Sequence, residues 1–65
     1  MSPENAVAYL ETLCRRHGIQ SYKNDEERAI TIDALRDNPD IIPDFIRKGE
    51  LNIERVAHEK EKRAA

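Results

Sequence analysis

Tryptophan is absent from this chain of 65 residues, phenylalanine occurs once, glycine twice and cysteine once. Each scarcity removes something. With Cys14 alone, no internal disulfide can form. With only Gly18 and Gly49, there is no glycine-rich loop to cradle a phosphate. No apolar run approaches the ~20 residues that a membrane-spanning helix needs, and the start lacks the charged and apolar regions of a signal peptide. A cytoplasmic setting is the default expectation, an intravirion one its variant, and Met1 suggests a complete small gene product.

What is abundant is charge. Charged residues make up 37% of the chain and the net charge is −2. Residues 1–23 carry a slight basic excess. Residues 24–46 are acidic, with Asp25, Glu26, Glu27, Asp33, Asp37, Asp40 and Asp44 against Arg28 and Arg36. Residues 47–65 return to a basic excess. An acidic centre repels phosphate and attracts a basic protein surface.

The apolar residues recur at helical spacing, and we expect an all-α fold: a small bundle of three main helices plus one short helix, in a single domain spanning 1–65. Ser2 as N-cap, Pro3 in the first turn and Glu4 near the positive dipole end open helix 3–17. Ala6, Val7, Leu10, Leu13, Cys14 and His17 form its apolar face. Gly18 closes it in a left-handed conformation, with Ile19 folded back onto Leu13 or Cys14. Asn24 caps a second helix, 24–37, backed by the acid three residues on. Its apolar residues are two-sided. Ile30 and Ala34 lie on one flank while Ala29, Ile32 and Leu35 lie on another, as in a helix gripped from two directions.

Asn38-Pro39 ends that helix. A short helix over 43–48, closed by Gly49, follows a turn. The last helix, 52–63, opens with Asn52 as cap and Leu51 stapled onto Val56. Its tail, 58–65, is expected to be frayed or exposed. The densest apolar run, Ile41-Ile42-Pro43-Asp44-Phe45-Ile46, is the natural hub of the core.

Candidate chemistry is sparse. Asp33 and Asp37 make a carboxylate pair on what should be a solvated face. Cys14 and His17 have a chelating spacing, but a structural zinc needs four ligands and only His58 is left to join them. Cys14 on an apolar face behaves as a small hydrophobe. We therefore expect no enzyme activity, no cofactor and no metal. A helix-turn-helix fits neither glycine. With Gly18 in the turn, Asn24 and Glu27 fall where buried aliphatics belong. With Gly49 there, bulky Phe45 takes the small position and Arg55 and His58 the anchors.

A chain of this size buries only ~60% of its unfolded surface, and few large apolar residues are present to do it. The expected partner is another protein, a second copy included, so the expected function is a small regulatory or adaptor protein, acting as a homodimer. The expected contact residues are Tyr9, Ile32, Leu35, Ile53, Arg47 and Lys48. Nucleic acid is a disfavoured partner, carried by the basic ends in a small helical DNA-binding regulator. A structural subunit of a larger assembly is the third reading, and no membrane contact is expected.

Overall fold

The computed structural model describes residues 1–64. Three α-helices and one 3-10 turn make up nearly all of it: α1 over Pro3–Arg16, α2 over Asp25–Asp37, the turn over Pro39–Ile41, and α3 over Ile42–Ala64. There is no strand among the described residues. The fold is an all-α bundle, as its periodicity predicts.

The helix ends follow from local chemistry. Ser2 Oγ accepts the Asn5 N–H at 3.1 Å, and Asn24 Oδ1 accepts the Glu27 N–H at 2.9 Å. Glu27 reaches back to the Lys23 N–H at 3.4 Å, one residue before the cap itself. At the far end of α1, Gly18 adopts φ +65°. This lets its N–H reach the Arg15 carbonyl at 3.1 Å and the Ile19 N–H reach the Cys14 carbonyl at 2.8 Å. Those two bonds are a Schellman closure, and Ile19 packs beside Leu10, Cys14 and Ile53 as expected.

The break expected between 48 and 52 does not exist. α3 is continuous for 23 residues, so the expected short helix, 43–48, is its first part, and the expected turn before it contains the 3-10 turn. Pro43 sits in the first turn of α3, where no amide partner is needed. Gly49 is not a stop but a notch. A Cβ there would lie 2.5 Å from Leu10 Cδ1 and 2.9 Å from Cδ2, so glycine is what lets α1 approach. Asn52, read as a cap, lies inside the helix and accepts from Arg55 at 2.6 Å. Leu51 is 61% exposed instead of stapled. The tail keeps its helix through Ala64, with His58 to Arg63 exposed; Ala65 lies outside the described residues.

α1 is the central element, packing against both other helices. Ala6 and Val7 meet Ile32, Leu35 and Ile42 at one end. Leu10 and Cys14 meet Ile53 further along, and Lys60 Nζ donates to the Gly18 carbonyl at 2.9 Å beyond that. Successive residues of α1 thus meet successive residues of α3, so the two helices run parallel. α2 runs antiparallel to them. Arg28 binds both oxygens of Glu11 at 3.0 Å, and Arg36 binds Glu4 further down α2.

The hub is smaller than its sequence suggests. Ile42 is buried and Ile46 half-buried, while Ile41 is 48% exposed. Phe45, half-buried, touches both core clusters and joins them. The molecule is long and thin, with extents of 42 × 23 × 13 Å. Its radius of gyration is 12.6 Å, where a compact domain of this length would have about 10.8 Å. Its accessible surface of 5000 Å² exceeds the about 4250 Å² typical of this mass.

Candidate protein-interaction surface

A 23-residue helix that packs on its partners along one side leaves the opposite side in water. On α3 the buried side is Ile42, Ile53 and Ala57, with Gly49 between them. The opposite side carries Lys48, Leu51 and Arg55 at spacings of three and four residues, with Arg47 and Lys62 on the same flank. All five are exposed. Lys48 is held by Asp44 at 3.1 Å, one turn back, and Arg55 by Asn52. An aliphatic side chain thus stands in open water among cations whose heads are drawn to either side of it.

α2 has a counterpart of opposite sign. Its inner side is Ile32 and Leu35; its outer side is Glu26, Ile30, Asp33 and Asp37, all exposed, with Ile30 at 62%. Arg36 is drawn off this strip towards Glu4 and keeps only a 3.4 Å contact with Asp33.

The expected contact residues divide. Arg47 and Lys48 are exposed on the outer side of α3, and Tyr9 is partly exposed, its phenol donating to Glu50 at 2.5 Å. That bond pushes the Tyr9 phenol above its ordinary pKa, with desolvation adding to it. Ile32, Leu35 and Ile53 are buried in the core of the single chain, so they are corrected from surface to core. Leu51 and Ile30, which sequence reasoning left out of the contact set, are the exposed large aliphatics of their helices. The signal for Leu51 was its position on a helix read straight through Gly49, two residues from buried Ile53 and therefore on the other side.

A groove of about 210 Å³ lies between α1, the connector and α3, lined among others by Leu10, Cys14, Ile19, Tyr22 and Phe45. Burial, with Glu11 nearby, pushes the Cys14 thiol above its ordinary pKa, which keeps it protonated and a poor nucleophile. His17 and His58 are exposed while Cys14 is buried, and among the described residues no three His, Cys, Asp or Glu side chains converge as a metal site would require. The C-terminal ends of α1 and α3 do come together, through Lys60 on the His17 and Gly18 carbonyls. This brings Arg15 and Arg16 to the same end of the molecule as Lys62 and Arg63. No helix among the described residues is long and apolar enough to cross a membrane. No family model, curated protein or solved structure matches the chain, so the surface is interpreted from its own chemistry.

Proposed function

We propose that this protein is a non-enzymatic adaptor or regulator that works by binding another protein through the outer side of α3. The observation that carries the reading is Leu51, 61% exposed in the middle of the longest helix and flanked at helical spacing by Lys48 and Arg55. An exposed aliphatic ringed by charge fits the anatomy of a small binding patch, apolar at its centre and polar at its rim. Because Ile32, Leu35 and Ile53 are already covered within one chain, a partner has the outer sides of α2 and α3 to use, not the core. The fitting partner is a helix with an apolar residue among acidic ones, laid along α3.

The test is affinity capture of the tagged protein from its native lysate, with and without nuclease, beside a Leu51→Glu variant. Leu51 is exposed, so the variant keeps the fold, which circular dichroism checks. A partner that survives nuclease and is lost from the variant is the expected result. Capture unaffected by Leu51→Glu would remove α3 as the binding face.

One observation favours a second reading, nucleic-acid binding: Arg15, Arg16, Lys62 and Arg63 share one end of the molecule. A phosphate contact there would be steeply salt-dependent. Partners that vanish on nuclease treatment would favour it over the first.

A further inference from the structure

The outer strips of α2 and α3 are complementary in charge and alike in design, and we infer that the acidic strip of one copy docks on the basic strip of a second. This rests on the reading of α3 as the binding face and names an occupant for it. Each strip carries one exposed aliphatic at its centre, Ile30 on α2 and Leu51 on α3. With Ile30 set on Leu51 and the helices antiparallel, Glu26 lies four residues before Ile30 and meets Arg55, four after Leu51. Asp33, three after Ile30, meets Lys48, three before Leu51. The same register carries Asp37 towards Asp44, one like-charge approach against two opposite ones, with Arg47 a turn inside it. The parallel register is worse: it keeps one opposite pair, Glu26 on Arg47, against one like pair, Asp33 on Glu54.

The sense of addition follows from the fold. α2 runs antiparallel to α3 within each chain. A second copy whose α3 lies antiparallel to the first copy's α2 therefore has the same orientation as the first. The contact is heterologous: each copy offers α2 on one side and α3 on the other, so it propagates as a row unless a rotation closes it into a ring. Opposite charges across a shallow patch make such a contact salt-sensitive.

Sedimentation of the purified full chain, over a range of concentrations at low salt and at about 0.5 M salt, tests it. The expected result is a mass that rises past the dimer with concentration at low salt and falls towards the monomer at high salt. Reversing one charge, Glu26→Arg or Arg55→Glu, should weaken association roughly tenfold or more. The double variant E26R/R55E should recover it, as should an equimolar mixture of the two single variants, in which each pairs at both strips with the other and the two alternate along the row. A monomer under all conditions overturns the inference, as does association indifferent to the single reversals. Ile30→Glu keeps this test apart from the one above: it abolishes self-association and leaves α3 intact for a foreign partner.

Discussion

Replacing Gly49 with alanine isolates the closest approach in the fold. In an ordinary helix interior the change stabilises by about 0.8–1.0 kcal/mol. Here the new methyl would stand 2.5 Å from Leu10 Cδ1, so Leu10, 7% exposed, would have to shift towards the groove that it helps to line. Overpacking of this kind costs about 1–3 kcal/mol. The net expectation for Gly49→Ala is a loss of roughly 0–2 kcal/mol, out of a total near 3–10 kcal/mol for a domain of this size. Leu10→Ala alone should cost about 2–5 kcal/mol. In the Leu10→Ala background the obstructing methyls are gone, so Gly49→Ala should recover its ordinary gain of about 1 kcal/mol. The two sites are thus coupled by about 1–3 kcal/mol. Urea denaturation followed by far-UV circular dichroism reads all four corners of the cycle, with a stabilising osmolyte if Leu10→Ala begins partly unfolded. A gain of about 1 kcal/mol from Gly49→Ala in both backgrounds would refute the notch and return Gly49 to an ordinary helix position.

Three further perturbations test the frame. Phe45→Ala should cost about 2–3 kcal/mol, less than the 3–5 kcal/mol of a fully buried phenylalanine; an unchanged urea midpoint would show that the two core clusters do not depend on it. Lys60→Ala should lose about 0.5–1 kcal/mol and speed amide exchange at Gly18 and Ile19; equal exchange in both proteins would mean the lysine contact does not hold the end of α1. Tyr9 should titrate above the ordinary tyrosine value of about 10, because ionisation removes the proton it donates to Glu50 and sets two anions together. Its folded pKa is raised, so its contribution to stability is complete below the ordinary value and is lost as pH rises through the folded one. Absorbance titration in a Tyr22→Phe background reads this directly, and Glu50→Gln should move the midpoint back down; a midpoint that ignores the substitution would break the assignment.

The ends of α1 and the start of α2 were legible because their signals are local. Ser2, Asn24 and Gly18 act on backbone groups within five residues of themselves, and each does what its chemistry predicts. Gly49 was not legible for the opposite reason. A glycine after a short apolar stretch reads as a helix end, and what makes it a notch is Leu10, on another helix. The same mistake hid Leu51, which a break at Gly49 turned into a staple. On α2 both apolar flanks were visible in the spacing. The flank that faces α1 is the one with Ile32 and Leu35, which pack on Ala6 and Val7, and the spacing within α2 does not say which neighbour covers it. So Ile32 and Leu35 stood among the expected contact residues, whereas they are covered within one chain and Ile30 is exposed.

The parallel course of α1 and α3 has a mechanical consequence. Three helices in up-down-up order put two helix termini, the start of α1 and the end of α3, at opposite ends of a rod 42 Å long. A force drawing those termini apart slides α1 and α3 past each other in opposite directions along their whole contact, instead of peeling them apart residue by residue. Leu10 seated at Gly49 then acts as a catch: before the helices can slip, its side chain must ride out of the notch and over a neighbouring residue of α3.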